Sequence, residues 1–228
     1  MVGRVTVLVA GAMTVPAVRA ARWTPLLAAL VVGYAMVGVP ALVSGSSDAP
    51  VVVVLLRLAV LCAGLGVGFL FDDPARPTTA TLPTPGWLPL AARVAAGGIV
   101  LAGWWWGTLV TAQAAAGAAD GGLLPLRDLT LEAVTVVAVV LAVAALVWRR
   151  AARGTVGLVA VPAFLVLVFL VALLPSRVAL LVPLEPSVWA AAHDRWTVTL
   201  IVAAAVALAA ATWSGVGKAR FGTSAVDG

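Results

Sequence analysis

Charge is what this sequence has least of. Only 10% of its 228 residues are Asp, Glu, Lys or Arg, and 63% are hydrophobic. Soluble domains carry roughly 25% charge, and a core of this size cannot hide so much apolar surface from water. A soluble domain is excluded. Cys62 is the single cysteine, so no intrachain disulfide and no thiolate metal cluster can form, and it reads as a small buried hydrophobe. His193 is the single histidine, whereas a structural zinc site wants about four ligands. The chain has no H-E-x-x-H and no G-x-S-x-G or G-x-G-x-x-G in context, and Gly215-Val-Gly217-Lys218-Ala219 lacks the spacing and hydroxyl of a phosphate loop. These absences point away from an enzyme, and no residue is assigned to catalysis, a cofactor or a metal. The formal net charge of +5 is no nucleic-acid signal either, because the basic residues sit at the ends of apolar runs.

What the chain does have is long apolar runs. Six are near the roughly 20 residues needed to cross a hydrocarbon layer about 30 Å thick. They run approximately Leu26–Val43, Val51–Phe71, Leu88–Thr111, Leu129–Trp148, Thr155–Leu174 and Thr197–Trp213. Helix is the expected conformation, because lipid offers no partner to a free amide, and the alternation of a barrel strand is absent. The expected fold is therefore all-α and polytopic. Residues 26–214 form the six-helix membrane domain and 215–228 a cytoplasmic tail. Residues 1–25 are read as a cytoplasmic interfacial helix: the run after Arg4 is too short to span, and Pro16, Arg19 and Arg22 flank it. The alternative for Met1–Ala20 is a cleaved signal, against which Arg19 and Arg22 occupy the place of a small, neutral cleavage region.

Orientation follows from Lys and Arg. With the N-terminus inside, ten basic residues fall at inner ends: Arg4, Arg19, Arg22, Arg76, Arg93, Arg149, Arg150, Arg153, Lys218 and Arg220. Only Arg127, Arg177 and Arg195 fall at outer ends. Both termini are thus expected in the cytoplasm of a cell-membrane protein. The longest polar break, Phe71 to Trp87, holds Pro74, Pro77, Pro83 and Pro85, which stop a helix near Asp72. It becomes the inner loop between spans two and three. Outside, Arg177-Val-Ala-Leu-Leu-Val-Pro183 is apolar but too short to span, and reads as a re-entrant or interfacial segment between spans five and six. An ordered surface loop is the alternative.

Three features inside the spans invite explanation. Arg57 lies about two turns into the second span, where an arginine snorkels, faces a cavity or finds a partner. Glu132 enters the fourth span from the same side, one turn beyond Asp128, so pairing of Arg57 with Glu132 or Asp128 is expected, with snorkelling as the alternative. Trp104-Trp-Trp106 covers most of a helix circumference, offering either aromatics along a substrate path or interface, or an anchor at the headgroups. Gly103 and Gly107 around it, and Gly64 with Gly68, have the small-xxx-small spacing of close helix packing. Ala192-His-Asp-Arg-Trp196 reads as the charged outer boundary of the last span.

Taken together, a cytoplasmic apolar helix before six spans, the Phe71-Asp-Asp-Pro-Ala75 loop and the Trp189–Trp196 stretch give an outline that resembles the permease subunits of ABC-2 type exporters. The resemblance is to the small actinobacterial form with a separate ATPase, and the Ala, Val and Arg bias suits a high-GC genome. It implies a translocation path completed by a second permease copy or homologue, with ATP and magnesium held on the partner ATPase and lipid all around. It also implies ATPase docking at Arg19, Arg22, Asp72, Asp73 and Arg76. A non-transport scaffold of a larger complex is the alternative. A membrane enzyme on lipid-linked substrates is a third reading, and it requires Glu132, His193 and Asp194 to converge.

Overall fold

Among the described residues the long apolar runs fold as helices, each closing its own backbone hydrogen bonds. The structure, a computed structural model, describes residues 18–19, 21–72, 87–120, 123–150, 155–175 and 177–212. The helices are α1 (Trp23–Ser44), α2 (Ala49–Gly68) continued by a 3-10 turn (Phe69–Phe71), α3 (Trp87–Asp120), α4 (Leu126–Arg150), α5 (Gly157–Ala172) and α6 (Pro186–Thr212). Among the described residues, five helical stretches are long and apolar enough to cross a membrane, and α5 is a shorter apolar helix. The chain is an all-α polytopic membrane protein.

Local chemistry sets the helix ends. Gly45 closes α1 in the left-handed region at φ 70°, its N–H donating to the Ala41 carbonyl, a conformation open to glycine without a Cβ penalty. Pro50 sits in the first turn of α2, where its missing donor would be unpaired in any case. Asp128 in the first turn of α4, with Arg149 and Arg150 in its last, complements the helix dipole.

The last helix differs most from the sequence reading. It begins at Pro186, eleven residues before Thr197, so Trp189–Trp196 belongs to α6 and is not a loop. Trp189, Ala192, His193 and Trp196 are all buried. Their spacing of i, i+3, i+4 and i+7 is one face of a helix, and that face packs on α4.

At the centre of the bundle is α2, the most buried of the spans, with α1, α3, α4 and α5 around it. Its glycines decide how close they come. A Cβ on Gly66 would lie 2.8 Å from the Leu26 Cα, and one on Gly33 of α1 would lie 2.9 Å from the Ala59 carbonyl oxygen. On the other side of α2, Gly64 faces Phe164 and Val140, and Gly68 faces Val161. Gly103 and Gly107 do otherwise: a Cβ on either meets nothing within 4 Å, so that pair does not admit a helix. Gly66→Val is accordingly expected to lower stability by about 1–3 kcal/mol, the usual range for overpacking. Gly103→Val should leave the unfolding midpoint of the detergent-solubilised protein almost unchanged.

Two apolar cores result, one toward each end of the bundle. The first gathers Leu26, Val67, Leu70, Phe71, Val140 and Phe164, and the second Val52, Leu56, Leu109, Leu129, Val182 and Trp189. Trp104 touches both and donates its indole N–H to the Leu30 carbonyl at 2.8 Å.

Candidate functional site

The second core encloses a polar cluster. Arg57 from α2 meets Glu132 from α4 as a two-pronged fork: Nε donates to Oε2 and Nη2 to Oε1, both at 2.7 Å. Such bidentate geometry is the strongest form of the pair. The third arm, Nη1, donates to the Val182 carbonyl at 2.8 Å, and the Arg57 Cζ lies 5.5 Å from the centre of a Trp189 ring, within cation–π range. Trp189 in turn donates its Nε1 hydrogen to Asp128 Oδ2 at 2.7 Å. The two carboxylates thus divide the work: Glu132 takes the arginine, and Asp128 takes the tryptophan that lies against it.

His193 completes the cluster. Its Nδ1 lies 2.8 Å from the Trp189 carbonyl, an acceptor, so Nδ1 carries the hydrogen there. Nε2 is buried and lies 3.2 Å from Glu132 Oε1, off the line of a hydrogen bond and with no other partner. The ring thus brings α6 up against the ion pair on α4. This placement runs against the sequence expectation, in which His-Asp-Arg marks the outer boundary of the last span. The helical spacing of Trp189, His193 and Trp196 was the signal for it.

The segment between α5 and α6 is irregular and folds against the bundle. Its carbonyls are capped by side chains: Val182 by Arg57, Arg177 and Ala179 by the guanidinium of Arg195, and Leu180 by the Trp196 indole. Backbone without helical bonds is tolerated at membrane depth only where protein satisfies it in this way. Arg57 is thus both an ion-pair partner and the pin that holds this strap.

Both Glu132 oxygens are engaged by Arg57 and His193 lies against one of them, whereas Asp194 is exposed, so the three do not gather at one point. The Thr130, Thr135 and Thr199 hydroxyls donate to carbonyls one turn back in their own helices. Cys62 lies 4.0 Å from the Met36 sulfur. Among the described residues, no three of His, Cys, Asp and Glu are grouped to hold a metal.

The tryptophan triplet splits three ways. Trp104 turns to α1, Trp105 donates to the Thr130 hydroxyl on α4 at 3.2 Å, and Trp106 is exposed. All three border a cavity of about 610 Å³ between α2, α3 and α4.

At the other end of the bundle lies Asp72, which the sequence reading made a docking residue. The structure corrects that: Asp72 is only 2% exposed. Its Oδ1 accepts from the Gly157 N–H at 2.7 Å, at the start of α5, and its carbonyl accepts from Arg93 of α3 at 3.3 Å. The side chain that was to meet a partner is buried as the cap of another helix. Arg19 and Arg22 are exposed, while Asp73 and Arg76 lie outside the described residues, as do most of residues 1–25 and the tail 215–228. No family model, curated protein or solved structure matches the chain.

Proposed function

We propose that the chain is the membrane-spanning permease subunit of an ATP-driven exporter, worked by a separate ATPase from the Asp72 end of the bundle. The observation that carries this reading is the knot at Asp72. Asp72, from which the chain continues into the connection beginning at residue 73, is bonded at once to the N-terminus of α5 and to Arg93 of α3. A load applied to that connection reaches α2, α3 and α5 together, as a gripped bundle requires. Exposed Arg19 and Arg22 before α1 supply charge for the same partner, and charges of this kind fix register between surfaces.

In this reading both termini are cytoplasmic in the cell membrane, and the Glu132 cluster lies toward the outside. A second permease copy or homologue completes the path, and ATP with magnesium is bound on the ATPase. A non-transport scaffold would have the same spans and no gripping partner. Purification from native membranes separates the two. An ATPase is expected to come down with the chain, and to be lost when Arg22, Asp73 and Arg76 are together replaced by alanine. Recovery of the intact chain without any nucleotide-binding partner decides for the scaffold.

A further inference from the structure

A second cavity, about 490 Å³, lies between α2, α4, α5 and α6, within the range of about 300–1,000 Å³ typical of small-molecule sites. Its shape follows from the glycines of α2. At the Asp72 end α2 and α5 lie against each other, with Val161 over Gly68 and the Phe164 ring over Gly64. Phe164 is the last wedge. Toward the Glu132 end the two helices border the cavity instead, with Val54, Leu58 and Leu61 on one side and Leu167, Val168 and Val171 on the other. Leu180–Pro183 of the strap closes that end. The side remains open: Val54, Leu58 and Leu167 line the cavity and are also exposed, and in a membrane protein that exposure faces lipid.

The polar groups at the closed end narrow the choice of occupant. Arg57 and Glu132 line the cavity, but each saturates the other, and the remaining arm of Arg57 is held by Val182. The Thr199 hydroxyl donates to the Arg195 carbonyl. A charged ligand finds no free counter-charge here, and desolvating it would be unfavourable. A hydrocarbon chain suits walls that are otherwise apolar.

We propose that this cavity takes one uncharged hydrocarbon chain of a membrane-dissolved amphiphile, entering sideways between α2 and α5. The headgroup stays at the mouth, and the strap pinned by Arg57 limits how far the chain reaches. As the site of an exported cargo it rests on the permease reading above; as a chain-binding site it needs only the bundle.

The test uses the full chain reconstituted in liposomes without any ATPase. One sample carries a trace of phosphatidylcholine with a diazirine in its acyl chain, and another a free diazirine fatty acid. After illumination, adducts are mapped by peptide mass spectrometry. Adducts on Val54, Leu58, Leu167 and Val171 are expected on the order of tenfold above those on Val198, Ile201 and Val202, the ratio that about 1.4 kcal/mol of preferential occupancy gives. These last three are exposed on α6 and report ordinary lipid contact. Enrichment with the phospholipid probe alone identifies a bilayer lipid as the source, and enrichment with the fatty acid a free amphiphile. Val136→Trp, which fills the cavity from α4, should bring the cavity adducts down to the α6 level while adducts on Ile201 persist. Val168→Trp is the second choice if that variant folds poorly. Equal labelling of the two surfaces in the unsubstituted protein with both probes overturns the proposal, as does enrichment that survives the tryptophan in a folded variant. Because no ATPase takes part, this result and the co-purification result stand or fall separately.

Discussion

Arg57→Ala is expected to lower stability by about 3–5 kcal/mol, the range found when a buried ion pair is broken from one side. Three losses coincide. Glu132, 4% exposed, loses the two donors of the fork, the Val182 carbonyl loses its donor, and Trp189 loses the cation over its ring. Folded yield from membranes and the thermal midpoint in detergent read the effect. Two double variants sharpen it. Arg57→Glu with Glu132→Arg should recover part of the loss, since the pair re-forms with the strap contact missing. Arg57→Met with Glu132→Met should be far milder than Arg57→Ala alone, because it leaves no charge unpaired. If the charge swap recovers nothing, the fork is not what joins α2 to α4.

Asp72→Ala is the second large effect, expected at about 1–3 kcal/mol, because it leaves the Gly157 N–H buried without an acceptor. Asp72→Asn keeps an oxygen in place for that hydrogen bond, so it should retain most of the stability. A docking role for the side chain would give a different order, with both variants failing to hold a partner and stability nearly unchanged. Under the permease reading, Asp72→Ala should still recover the ATPase but transmit its motion poorly. Substitutions at Asp73 or Arg76 should weaken recovery itself. Comparing ATPase recovery with ATP-driven transport in reconstituted vesicles distinguishes the two kinds of defect.

Much of the fold was legible because lipid makes the rules severe. Apolar length alone located α1, α2, α4 and α5 to within a few residues, and the depth of Arg57 with the level of Glu132 pointed to a partner across two helices. The start of α6 was not legible from hydropathy, since His193, Asp194 and Arg195 interrupt the apolar run. The helix continues through them because only Asp194 is exposed, while His193 turns inward and Arg195 caps strap carbonyls. Asp72 misled for a related reason. Two acidic residues before a proline read as a surface loop, yet the first turns back to cap α5, a long-range bond that local sequence does not announce. Gly33 and Gly66, which let α1 and α2 approach closely, lie on different helices and share no small-xxx-small motif, whereas of the two motifs that the sequence does show, Gly64 with Gly68 packs and Gly103 with Gly107 meets nothing.

Helix α5 has only 16 residues, or about 24 Å at 1.5 Å per residue, against about 30 Å of hydrocarbon. A bilayer crossed by so short a helix thins beside it or draws its headgroups down to the helix ends. Any such thinning around α5 would include the flank where α5 parts from α2. Thickness mismatch therefore acts at the cavity's entrance, and lengthening the acyl chains of the host membrane should strain this flank more than any other.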